Sequence, residues 1–139
     1  MPDGHGEIVY GWRQPVSDAE MVDLVESHGG RPAPGWWNRV QRQSLGWVTA
    51  REVGGLLVGF VNVAWDGGDH AFLIDTKTRG SFQRRGIGTE VVARAVTHAR
   101  MAGCEWVHVD FGADLQPFYF EACGFRSTNA GLIHLPSAG

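Results

Sequence analysis

Residues 76–89, TKTRGSFQRRGIGT, decide how this chain is read. They carry Lys77, Arg79, Arg84 and Arg85 and no acid, a local charge of +4 in a 139-residue chain whose formal net charge is −3. An apolar stretch, 70–78 (HAFLIDTKT), runs into the segment and has the pattern of a strand. After it, residues 88–102 (GTEVVARAVTHARMA) place Val91, Val92, Ala95, Val96, Ala99 and Ala102 on one face of a helix. The basic segment therefore lies between a strand and the N-terminus of a helix. Gly86 and Gly88 leave the backbone amides there uncovered by bulky side chains. Free amides at the positive end of a helix favour an anion, and a phosphate above all. The arginines add attraction and possible direct contacts. A plain glycine turn with solvated arginines looks similar in isolation, but the strand before, the helix after and the clustered charge favour the anion site. No Gly-Lys-Ser/Thr closes the segment, which excludes a Walker loop. A dinucleotide fingerprint needs a third small residue where Val91 stands.

Working outward, residues 7–13 form a first candidate strand. Ser17 opens a helix with capping-box spacing to Glu20, and Gly29-Gly30 stops it. A short amphipathic helix is expected through Trp36, Trp37, Val40 and Gln43. Residues 45–53 and 56–65 read as two strands joined by a turn at Gly54-Gly55, and Gly67-Gly68 turns the chain into 70–78. Beyond the helix at 88–102, a strand is expected over 105–111, a short helix over 115–122 and a last strand over 125–135. The unit from 70 to 111 should be a right-handed parallel crossover. The fold class is α/β (α+β), with helices on a mixed, mostly antiparallel sheet.

The length suits a single domain over 1–139, large enough to fold without a disulfide or metal staple. Apolar runs fall far short of the ~20 residues of a membrane span. The N-terminus resembles no signal peptide, and two cysteines, Cys104 and Cys123, suit a reducing cytoplasm. The mild negative charge argues against a general nucleic-acid binder. Glycine, at 20 residues, stands at about twice its usual share of ~7%. Eleven arginines against one lysine, Lys77, read as codon bias.

The basic segment resembles the acyl-coenzyme A loop of the GNAT-type N-acetyltransferase superfamily, whose pattern Gln/Arg-x-x-Gly-x-Gly/Ala is met by Gln83, Gly86 and Gly88. Phe120-Glu121-Ala122-Cys123-Gly124-Phe125 is similar to the family's C-terminal Tyr-Glu-x-x-Gly-Phe signature. The resemblance is clear over about residues 70–125. It implies acetyl-CoA as cosubstrate, with Gln83, Arg84, Arg85, Gly86, Ile87, Gly88 and Thr89 around its pyrophosphate. The Thr89 hydroxyl either adds a phosphate contact or caps the helix. Backbone groups of Thr76, Lys77 and Thr78 would take the pantetheine arm. Asp75 is the candidate base, with Asp69 and His70 behind it. The family's leaving-group tyrosine would fall at Phe120. Tyr119 is one residue away, and a one-residue helical shift turns a side chain by about 100°, so it need not face the thioester unless a local bulge restores it as the proton donor. Asp114 stands in the region where the family often has Asn, and reads as a helix cap. Trp36 and Trp37 are candidate walls for the acceptor amine.

One Cys and one His in Cys104-x-x-x-His108 do not make a four-ligand metal site, so no metal is expected. The expected activity is transfer of an acetyl group from acetyl-CoA to an amine in a ternary complex. The alternative is an acyl-CoA-binding module with weak or no transfer, motivated by Phe120. A homodimer is compatible with the resemblance, and the acceptor stays open.

Overall fold

The computed structural model describes residues 7–137. Its centre is a five-stranded sheet in the order β1 (Ile8–Trp12), β2 (Ser44–Glu52), β3 (Leu57–Trp65), β4 (His70–Thr78), β5 (Trp106–His108). The first four strands pair antiparallel and β4–β5 pair parallel. The helix α3 (Ile87–Met101) makes the parallel crossover and covers one face. The helices α1 (Asp18–Ser27) and α2 (Trp36–Val40) cover part of the other.

Strand alternation divides the core. Val48, Ala50, Val58, Val61 and Val63 pack under Ile87, Val91, Val92, Ala95 and Ala99 of α3. Their neighbours Trp47, Leu57 and Phe60 face Met21, Leu24 and Trp37 on the other side. Ser17 caps α1 reciprocally with Glu20, as the spacing requires. Glu20 also holds Arg51 of β2, so the cap fixes the helix to the sheet. Trp12 stacks on His98 at 4.1 Å and seats β1 against α3.

The sheet departs from regularity at one place that matters. On β3 and β4, Asn62 opposes Ile74 and Phe60 opposes Lys77, so β4 carries an extra residue between the two pairs. Asp75 absorbs it, with φ +61°. The extra residue resets the alternation. Ile74 shares a face with Asn62 and Lys77 with Phe60, so both side chains lie on the α1–α2 side. In an unbroken strand, positions 74 and 77 would point to opposite faces.

Three expectations need correction. The strand expected over 105–111 is only Trp106–His108, because β4–β5 pairing stops at Phe72↔His108 and β4 is bent away by its bulge. The helix expected over 115–122 is a 3-10 turn, Ala113–Leu115, followed by a wide π-type helix, Pro117–Ala122. The last strand over 125–135 is absent. That segment finds no strand to pair with, and Leu132, Ile133 and Leu135 are 83–84% exposed.

Candidate active site

Where β4 and β5 part, a cleft of about 310 Å³ opens through the sheet. Leu73, Val109, Phe111 and Tyr119 line it from the α3 side, and Ile74, Lys77 and His28 from the other, with Asp75 and Thr76 at the bulge and Asp110 beyond the end of β5. The parallel ladder ends at Phe72↔His108, and the irregular residue of β4 follows at Asp75, beside the opening. From Leu73 onward the outer edge of β4 has no strand partner. Its main-chain groups are free to pair with an extended ligand in place of a strand.

Tyr119 is the buried polar group of the cleft. Its hydroxyl donates to Thr76 Oγ1 at 3.2 Å, and its ring stacks on Phe111 with Phe118 and Phe125 at its edges. Burial raises its pKa above the usual 10, only partly offset by the Thr76 hydrogen bond, so the phenol is protonated at neutral pH. The wide helix matters here. The Cys123 amide reaches the Phe118 carbonyl across five residues, and the local turn is broader than an α-helix. Tyr119 lines the cleft, whereas Phe120 packs its edge on Phe111 and does not.

The basic segment forms the entrance to α3. Gly86 is left-handed at φ +81°, and no side chain caps the helix. The amides of Ile87, Gly88 and Thr89 bond to no described residue. A Cβ on Gly86 would meet nothing within 4 Å, so the space over the amides is open. A Cβ on Gly88 would stand 3.3 Å from the ring of Phe118, which brings the cradle next to the turn that carries Tyr119. Thr89 makes no capping bond. Asp114 lies inside its 3-10 turn, whose cap position is Gly112.

The four cations divide. Arg79 is structural: it donates to the Leu57 carbonyl at 2.9 Å and to Asp23 at 2.7 Å, tying β4 to β3 and α1. Lys77 turns away from the cradle toward α2, 5.4 Å from the centre of the Trp36 ring. Arg85 lies over Phe82, and Arg84, at φ +66°, is exposed. These last two flank the open amides together with Gln83, whose side chain reaches the Thr78 carbonyl at 3.5 Å.

Other candidates fall elsewhere. Trp37 is 0% exposed, edge-on to Trp47 and Phe60, and offers no wall to a ligand. Trp36 holds Lys77 instead of standing open. The Asp69 carbonyl accepts from the Glu105 and Trp106 amides, and His70 bonds His108 at 2.8 Å, both outside the cleft lining. Burial raises the pKa of both cysteines and favours the thiol, which suits neither as a nucleophile. Among the described residues no group of three metal-ligating side chains occurs. No local signal in the sequence marks the bulge. Asp75 tolerates a left-handed backbone better than most residues, but so would any Asp in the chain.

Comparison with known proteins agrees with this architecture. A structure from Deinococcus radiodurans R1, assigned as an acetyltransferase, superposes with a TM-score of 0.75 at 25% identity, over 91% of this chain and 87% of that one. A GNAT-family acetyltransferase of Streptococcus pneumoniae TIGR4 gives 0.77 at 19% identity, over 94% and 98%. The aminoglycoside N-acetyltransferase AAC(6′)-Iy in complex with CoA gives 0.68 at 17% identity, over 99% of each chain. No match is found among curated proteins. The sequence model of the acetyltransferase (GNAT) family matches residues 13–125. Since that match covers most of the chain, this chain belongs to the GNAT acetyltransferase family.

Proposed function

We propose that this protein transfers an acetyl group from acetyl-CoA to an amine acceptor by direct attack in a ternary complex. One observation carries the reading. An open anion cradle at Gly86–Thr89, an unpartnered β4 edge and a protonated tyrosine in the cleft succeed one another along a continuous path. The residues fit an acyl-CoA in that order. The Gly86–Thr89 amides, flanked by Arg84 and Arg85, hold a diphosphate. The Thr76–Thr78 main chain pairs with the amide-bearing arm. The cosubstrate supplies the activated acetyl group as a thioester. Tyr119 holds a proton at its hydroxyl and delivers it to the departing sulfur. A main-chain amide of the bulge steadies negative charge on the acyl oxygen. The acceptor must shed a proton before it attacks, and Asp75 or Asp110 receives it, directly or through water. The reading of a binding module without transfer loses its motive, because the cleft contains a tyrosine hydroxyl even though residue 120 is Phe.

Isothermal titration with acetyl-CoA, followed by thiol release against an amine panel, tests the proposal. Binding with amine-dependent thiol release is expected, and absence of binding would sink it. Tyr119→Phe should bind acetyl-CoA with unchanged affinity and lose about 100-fold in kcat. Equal kcat for the two proteins would remove Tyr119 from the chemistry.

A further inference from the structure

Lys77 is the chain's one lysine, and it is among the residues that line the cleft. Its register partner Phe60 faces α1 and α2, whereas Gly59, the partner of Thr78, faces Ile87 and Val91 of α3. The Lys77 side chain is thus on the far side of the sheet from the cradle. It is only 12% exposed. The Trp36 ring lies beneath it, and the nearest acid, Asp75, is 3.5 Å from the ammonium. That distance exceeds the ~2.7–2.9 Å of a charge-assisted hydrogen bond. No described residue accepts a hydrogen bond from Lys77. A largely buried ammonium with unmade hydrogen bonds is costly unless something completes them.

We infer that Lys77 anchors a carboxylate carried by the acceptor, so that the amine to be acetylated belongs to a small zwitterion of amino-acid type. This rests on the transferase reading above. The cleft offers complementary charges. Lys77 provides one cation, while Asp75 and Asp110 provide carboxylates that suit an ammonium. With one ammonium and two carboxylates the lining is net negative, so it suits a ligand that brings its own ammonium with a single carboxylate and disfavours a dianionic phosphate. The cleft, about 310 Å³ and open to solvent, is of a size that suits a small molecule. The Trp36 ring holds the ammonium itself on one side, so the group meets its ligand with less ordering left to do.

The test uses sets of α-, β- and γ-amino acids, each compared with its own amide and its aminophosphonate, in acetyl-CoA-dependent thiol release with mass detection of the product. Acetyl-CoA binding is measured separately by titration, so that failure of the transferase reading, which appears as no binding, is distinct from failure of this one. The acids should exceed their amides by about 10- to 100-fold in kcat/KM, most of it in KM. Lys77→Met should collapse that acid-to-amide ratio toward one, and Lys77→Arg should restore part of it. With acetyl-CoA bound, amides or aminophosphonates turned over as readily as acids would overturn the inference. So would an unchanged ratio in Lys77→Met, no acid turned over at all, or N-acetylation of Lys77 itself, which would make it a substrate in place of an anchor.

Discussion

Asp75 sits in a strand with φ +61°, a region that costs most L-residues about 1–2 kcal/mol and Asn or Asp less. Its conformation and its carboxylate therefore have separable consequences. If Asp75 serves through the bulge, Asp75→Asn and Asp75→Gly should keep the fold and most of kcat, and Asp75→Val should lose both stability and activity. If it serves as the base, Asp75→Asn should lose activity at full stability. Melting temperature and kcat measured together on the three variants distinguish these outcomes. In the sequence Asp75 stands out for its carboxylate. Its backbone role is not legible there, since nothing local distinguishes this Asp from one in a regular strand; the bulge exists only in relation to Asn62 and Phe60 on the neighbouring strand. Tyr119 illustrates the same limit. Its offset from the family position is visible in sequence, and the π-type turn that accompanies its place in the cleft is not.

At the scale of elements, the long periodic segments were legible. The capping box of α1, the turn at Gly54-Gly55 and the amphipathic face of α3 each follow from local chemistry. The pieces that escaped, the short β5 and the unpaired tail, depend on partners distant in sequence. One loop glycine has a tertiary reason as well. Gly80 passes so close to the end of α1 that a Cβ would lie 2.5 Å from the Ser27 carbonyl oxygen. A backbone atom cannot swing aside, so Gly80→Ala should cost about 1–3 kcal/mol, read from urea denaturation. The same change should loosen the hold of Arg79 on Asp23 and weaken acetyl-CoA binding, because Arg79 and Gly80 start the segment that becomes the cradle. A variant as stable as the parent would show that α1 can retreat.

For the whole molecule, acid should act in two stages. His98, sandwiched against Trp12, has its pKa lowered below 6.5, first by burial and then by the positive charge of Arg94. Above pH 6.5 neither state is protonated there. As the pH falls below that value the unfolded chain gains the proton first, so stability drops until the folded value is passed. Glu20 has its pKa lowered below 4.5, chiefly by its hydrogen bond to Arg51. Its contribution is fully present above pH 4.5 and vanishes as the pH falls through the folded value. The urea midpoint of the parent should fall relative to that of His98→Phe as the pH is lowered from 8 to 5, because only the parent carries the histidine penalty. Parallel pH profiles would show that His98 is not responsible.

The extra residue in β4 also fixes which changes in chain length the protein can survive. The residues after Ile74 are written one step out of phase with those before it. Losing one codon at position 75 would therefore bring them back into phase. Ile74 and Lys77 would stand two apart in a regular ladder and keep their shared side, but the irregularity beside the cleft would go with the extra residue. Loss of that one residue should spare the fold of the strand and cost the site.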